Sequence, residues 1–291
     1  MGAPQRGIIH SAFDAAANIV FPGDFILSLN AASSSPAWAD KSALGTINRP
    51  LGDSEVGHDL SRPAPQRSTY QFPRPIPRMP NGLQLTAAAG TFPFIALRAG
   101  MPVLFGAQRL HIEAIGCSLD LSLCSQWDPH IERPAVLDKK IVRKNRERLG
   151  GYLSPPPQIW QSPPKGLIYF PYIHTLAQFL CGRGVGLTPT GDDMLVGWMA
   201  AGWLLYGPMP GFLNACQQIV EVAKRQTHLL SQCWLGYAAE GNVAQPICAL
   251  LDALTCDNES QLSVAAEGVL AMGATSGHDV IQGMLLMLNE I

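Results

Sequence analysis

Two short stretches carry the residue types best suited to chemistry. The first runs Gly182-Arg183-Gly184-Val185-Gly186-Leu187-Thr188-Pro189-Thr190-Gly191-Asp192-Asp193 and leads at once into the apolar segment Met194 to Tyr206. The second, near the C-terminus, runs Thr275-Ser276-Gly277-His278-Asp279 and also leads into an apolar segment. Glycines let a backbone turn with positive φ or come close to another group. Thr, Ser and Asp are residues that begin helices. Each stretch therefore reads as a loop ending in a helix N-terminus, where unpaired N–H groups and a partial positive charge can hold an anion.

The two stretches match each other. Thr190 to Gly197 and Ser276 to Gly283 both fit hydroxyl–Gly–x–Asp–x–aliphatic–x–Gly. Glycine inside a helix costs about 1 kcal/mol relative to alanine. Two such glycines at equal offsets, Gly197 and Gly283, suggest helices that approach something closely. The expectation is that both helix starts converge on one site; the plainer reading is two independent helix starts with good caps.

A site of this kind suits a small anion, which backbone N–H groups, hydroxyls and an arginine can hold. Arg183, Thr188, Thr190, Gly191, Ser276 and Gly277 are the candidate substrate-binding residues for a small anion. The carboxylates complicate this, because they repel phosphate. Three readings stay open: they cap helix N–H groups and face away, they hold Mg²⁺ that bridges to phosphate, or one is a general base. Asp193 and Asp279, shared by both motifs, are the helix-capping or metal candidates. Asp192 and His278 occupy the position that differs between the copies. They are the candidates for proton transfer, histidine being a side chain that titrates near neutrality.

The elements that must position these residues can be read along the chain. Gly7 to Phe13, Ala17 to Phe21 and Phe25 to Leu29 are strand-like, split by Asp14 and by Pro22-Gly23-Asp24. His10 and Ser11 read as the polar face of the first strand. Leu83 to Thr86, Phe94 to Leu97, Met101 to Phe105, Leu110 to Glu113 and Ile115 to Leu119 continue the pattern with glycine turns between them. Before them, at about residues 61–82, prolines alternate with arginines in an irregular arm that cannot be helical. From Val136 to Tyr152 the pattern becomes helical, with a basic exposed face and Leu137, Ile141 and Leu149 as the buried stripe. Ser154 to Pro164 reads as an extended connector. Helices are then expected near Tyr169–Leu180, Met194–Tyr206, Phe212–Ala239, Val243–Leu254, Gln261–Met272 and Val280–Leu288. The long Phe212–Ala239 helix carries Thr227, His228 and Ser231 at its middle, with Thr227 and Ser231 on one face, where they could point toward the same site or simply bond the preceding turn.

The fold class is therefore α+β: a β-rich N-terminal portion, an antiparallel sheet or small barrel over residues 1–135, then a helical portion over 136–291 that carries both motifs. The chain has 291 residues, enough for a substantial core. Only 14% of residues are charged and the net charge is −2, so bulk charge gives no footprint for nucleic acid. The low charge points to surface hidden in an oligomer or hetero-complex. The seven cysteines include no CxxC pair, so neither a disulfide framework nor a zinc site is indicated, and a reducing, cytoplasmic setting is expected. No secretory segment is seen at the start, and the Met194–Tyr206 run is shorter than the ~20 residues a membrane span needs.

The paired motifs resemble those of a bacterial family whose best-understood members are the AllH-like subunits of oxamate carbamoyltransferase, from anaerobic allantoin degradation. The opening Gly7 to Phe13 and the strand-like Ala17 to Leu29 also fit that family's start, while about Ala31 to Gly82 matches nothing in it. The resemblance implies a subunit of a multi-component enzyme that interconverts oxalurate plus phosphate with oxamate plus carbamoyl phosphate. It also implies partners, one of them FdrA-like; no membrane is expected, from the short apolar run alone. Two other functions compete. One is a non-catalytic binding or scaffolding subunit; the other is a stand-alone metal-dependent hydrolase, which the lack of HxH or HExxH spacing disfavours.

Overall fold

The computed structural model describes residues 4–12, 16–32, 79–86, 92, 94–122, 124, 126–153 and 172–290. The chain divides into two compact units, Met1–Trp127 and Asp128–Ile291. Residues 61–78 of the proline-arginine arm and the connector at 154–164 lie outside the described residues.

Among the described residues the first unit is built on a seven-stranded sheet, and the expected α+β class holds. The strands are β1 (Gln5–Ala12), β2 (Ala16–Phe21), β3 (Phe25–Ala32), β4 (Gly82–Thr86), β5 (Pro102–Gly106), β6 (Arg109–Ile112) and β7 (Cys117–Asp120). They lie in the order β4-β3-β2-β1-β5-β6-β7. All pairings are antiparallel except β3 with β4, which run parallel with Ser28 opposite Gly82, so the sheet is mixed. Ile9, Ile19, Leu29, Val103, Leu110 and Ile112 alternate onto one face and form its core. Ser11 is drawn into a polar chain rather than a site: its hydroxyl accepts from Asn18 Nδ2 at 2.9 Å, and Asn18 Oδ1 accepts from Ser28 at 2.7 Å.

One strand expectation fails. Phe94 to Ala96 is a 3-10 turn, closed by the Leu97 N–H donating to the Phe94 carbonyl at 3.0 Å. Phe94 and Leu97 are both buried, at 2% and 0% exposure. Residues three apart share a face in a 3-10 turn and take opposite faces in a strand, so burying both selects the turn.

The second unit contains α1 (Lys139–Gly150), α2 (Ile173–Leu180), α3 (Thr190–Tyr206), α4 (Pro210–Gln226), α5 (Leu229–Ala239), α6 (Gln245–Thr255), α7 (Glu259–Leu270) and α8 (Ser276–Leu288). On α1 the buried stripe is Val142, Asn145 and Leu149 rather than Leu137, Ile141 and Leu149. A polar residue inside the stripe defeated the apolar count. Asn145 is needed there because its Nδ2 donates to the carbonyls of Leu254 at 3.1 Å and Cys256 at 2.7 Å, where α6 ends and its last carbonyls lack helical partners. Asp138 caps α1 by accepting from the Lys140 N–H at 2.8 Å.

Helix α3 is buried from Gly191 to Leu205 on every side. That marks it as the axis on which the helical unit is assembled. Its Trp203 donates from Nε1 to the Ala238 carbonyl at 3.0 Å and packs edge-on against Phe212.

Candidate functional site

The two motifs meet at the crossing of α3 and α8. A side chain added at Gly197 would place its Cβ 1.9 Å from the Val280 carbonyl oxygen, and one at Gly283 would place it 1.8 Å from the Met194 carbonyl oxygen. Met194 and Val280 are the fifth residues of their helices; Gly197 and Gly283 are the eighth. The contact is therefore reciprocal, each helix seating its backbone in the other's glycine notch.

The approach to each helix repeats as well. The Arg183 N–H donates to the Leu180 carbonyl and the Gly191 N–H to the Arg183 carbonyl. The Met272 N–H donates to the Val269 carbonyl and the Gly277 N–H to the Met272 carbonyl. A Cβ at Gly191 would lie 1.9 Å from the Leu180 carbonyl oxygen, and one at Gly277 the same 1.9 Å from the Val269 carbonyl oxygen. The α2–α3 and α7–α8 hairpins thus follow one backbone plan, with nine residues inserted between the helices in the first and five in the second.

Both helices start earlier than the carboxylates. Their N-caps are Pro189 and Thr275, neither with a side-chain cap bond, so Asp193 and Asp279 stand at the fourth helical position. A cap residue must lie outside the helix to reach back to its N–H groups, so the capping reading does not describe these two. Gly191 and Gly277 also differ from the expectation of anion-binding amides. Their N–H groups are spent on chain carbonyls, and their missing side chains make room for backbone.

The expected convergence is nevertheless real in one respect. Thr188 Oγ1 and Ser276 Oγ lie 3.3 Å apart, bringing half-buried hydroxyls from the two motifs together. Beneath them are three carboxyl groups, Asp192, Asp193 and Asp279, each at most 3% exposed.

Asp192 is committed to the architecture. Its Oδ1 accepts from the Gly182 N–H at 2.8 Å and its Oδ2 from the Thr227 hydroxyl. Burial raises its pKa, against the opposing pull of the Thr227, Gly182 and Ser231 bonds and of His228. Thr227 can reach it because the expected long helix is broken there: α4 ends at Gln226, and Thr227 is extended at φ −132°, ψ 175°. The break is shaped by the glycine loop. Gly182, at φ +72°, sits where a Cβ would come within 2.1 Å of the Gln226 carbonyl oxygen. The Gln232 side chain donates to the Thr227 carbonyl at 2.8 Å, and Ser231 to the Leu187 carbonyl at 3.3 Å. Thr227 and Ser231 therefore both serve the loop, although no single helix carries them.

Asp193 and Asp279 each have a buried Oδ2 without a hydrogen-bond partner. Burial pushes the Asp193 carboxyl well above the usual range, and Asp279 and Asp192 push it further. The nearby Ser276 and Thr188 hydroxyls act in the opposite sense but do not offset it. These hydroxyls are near enough to polarise the carboxyl while leaving Oδ2 without a bond of normal geometry; burial is the stronger influence, since a dry carboxylate is costly. His278 Nδ1 lies 3.6 Å from Asp279 Oδ1 and is part of the same junction.

The remaining candidates sit around it. Thr190 is the first residue of α3 and half-buried, under Gly184, where a Cβ would come 2.5 Å from the Thr190 nitrogen. Arg183 is exposed on the loop with its guanidinium 4.1 Å over the Phe179 ring. Cys181, next to the loop, is buried, and burial and Asp192 push its thiol up to about 12, so it is no nucleophile at neutral pH. Among the described residues no three His, Cys, Asp or Glu side chains are grouped so as to hold a metal ion. The sequence marked both motifs and pointed Thr227 and Ser231 toward the same site, but it carried them on one unbroken helix and did not identify Asp192 as the partner of Thr227.

Residues 180–288 match the family model described as oxamate carbamoyltransferase subunit AllH. The match begins at the end of α2 and closes with α8, so it spans both motifs and the crossing, and the resemblance drawn from those motifs is borne out there. No solved structure matches the chain. Among the described residues no helix is long and apolar enough to cross a membrane.

Proposed function

We propose that the protein is a subunit of a cytoplasmic carbamoyltransferase complex that interconverts oxalurate plus phosphate with oxamate plus carbamoyl phosphate in allantoin degradation. The observation that carries this reading is the coincidence of the family match with the meeting of Thr188 and Ser276 hydroxyls from the two matched motifs, 3.3 Å apart. In the forward direction a phosphate oxygen bonds to the carbamoyl carbon of oxalurate, the C–N bond breaks, and the nitrogen takes a proton to give oxamate. On this reading the hydroxyl pair, with exposed Arg183 close by in sequence, holds the small oxyanions. Asp192 positions the loop, and His278 is the group left to move the proton. The low charged fraction of 14% supports a surface covered by partners, one of them FdrA-like.

A second reading has one observation in its favour. The Gly191 and Gly277 N–H groups are already bonded within the chain, which withdraws two expected anion donors. On that reading the chain binds or scaffolds while a partner performs the chemistry. The test is phosphate-dependent conversion of oxalurate by the full chain alone, by the complex co-purified from its host, and by that complex carrying Ser276→Ala. Loss of turnover in the variant complex, with assembly intact, supports a catalytic site here. Undiminished turnover supports scaffolding, and no turnover by the wild-type complex refutes the carbamoyltransferase reading.

A further inference from the structure

We propose that Asp193 is a buried carboxylic acid, protonated at neutral pH, that acts as a positioning residue by turning the Thr188 and Ser276 hydroxyls outward as donors to a small oxyanion. The proposal rests on the reading above only for the identity of that anion. Asp193 is 3% exposed, and its Oδ2 is sealed from solvent with no hydrogen-bond partner. Its charged neighbours are acids: Asp192 on its own helix and Asp279 on α8, whose Oδ2 is equally sealed and unpartnered. Three other titratable groups lie at the junction. His278 faces Asp279, while His228 and Cys181 act on Asp192. A dry carboxyl with acid neighbours neutralises itself by keeping its proton.

The proton changes what the site can bind. An ionised Asp193 is acceptor-only and would draw both hydroxyl protons inward. Their lone pairs would then face the ligand, above a negative charge. A protonated Asp193 donates to a hydroxyl instead of accepting, so neither hydroxyl proton is drawn inward and both are available to point outward. The arrangement answers the conflict between anion binding and three carboxyl groups at one place.

The test uses the full chain and two readouts independent of turnover. The ordinary aspartate pKa is about 3.9, and above it the folded state would bind one more proton than the unfolded state. With the folded-state pKa raised, stability is full below the unfolded value and falls as the pH rises towards the folded value. Because asparagine cannot titrate, the folding constant of wild type relative to Asp193→Asn should fall up to about tenfold per pH unit between pH 4 and 7. A flat ratio overturns the proposal. Should the variant fail to fold, infrared spectra of wild type labelled with ¹³C-aspartate decide: a carboxylic-acid C=O band at neutral pH supports it, and none overturns it. Inorganic phosphate, titrated by calorimetry, probes the positioning role. Folded Asp193→Asn should keep phosphate binding and lose any weakening at alkaline pH. Loss of binding in that variant, or no binding by wild type, overturns the role. Phosphate binding without oxalurate turnover by the complex would instead sink the carbamoyltransferase reading alone.

Discussion

Alanine at Gly197 should destabilise the protein, although alanine is the better helix former. The added Cβ would lie 1.9 Å from the Val280 carbonyl oxygen. An ordinary C···O approach is about 3.3 Å, so the helices must part locally by about 1.4 Å. Both contacting atoms are held by backbone, so no rotamer change relieves the clash. Overpacking of a tight core typically costs ~1–3 kcal/mol, and propensity returns ~1 kcal/mol. The rigid contact places Gly197→Ala near the upper end, a net loss of about 2 kcal/mol. Gly283→Ala meets the Met194 carbonyl oxygen at 1.8 Å and should behave alike. Once one substitution has parted the helices the second costs less, so the double variant should lose less than the sum. Gly236, inside α5 with nothing within 4 Å of an added Cβ, is the control, and Gly236→Ala should gain ~0.4–1 kcal/mol. Urea denaturation with a constant m-value reads all four variants. If Gly197→Ala shifts the midpoint upward like Gly236→Ala, the reciprocal glycine notch is refuted.

Other outcomes follow from the same geometry. Thr227→Val removes a hydroxyl donor from buried Asp192 and should cost ~1–3 kcal/mol by denaturation, and an unchanged midpoint would deny that bond its role. Asn145→Ala removes the side-chain donor from the Leu254 carbonyl at the end of α6 and one of two donors from the Cys256 carbonyl, and should cost a similar ~1–3 kcal/mol. Cys181, buried and with its thiol pushed up to about 12, should resist alkylation at neutral pH in the native protein, while exposed Cys124 and Cys256 react. Peptide mass mapping after brief iodoacetamide treatment separates them, and early labelling of Cys181 would contradict its burial.

The local patterns of the chain determined its elements and its two motifs. Period-two alternation around Ile9, Ile19 and Leu29 requires strands with one buried face, and Pro22-Gly23-Asp24 can only turn. The repeated hydroxyl–Gly–x–Asp–x–aliphatic–x–Gly pattern required two alike helix starts, because glycine is not otherwise placed twice at equal depth in a helix. Tertiary structure alone decided what those residues touch. Gly191 and Gly277 read as anion-binding backbone, yet they accommodate the carbonyls of preceding helices; Gly197 and Gly283 read as points of close approach, and the structure supplies the partner, each other's helix. Asp193 and Asp279 read as caps, yet they stand one turn inside and face a dry junction. The break at Thr227 interrupts an otherwise helical pattern because its cause, the Gly182 turn and Asp192, lies 35 residues or more away in the chain. Periodicity and propensity report which face of an element is apolar. A close backbone approach or a buried carboxyl's partner depends on a second element, and no local pattern records which one arrives.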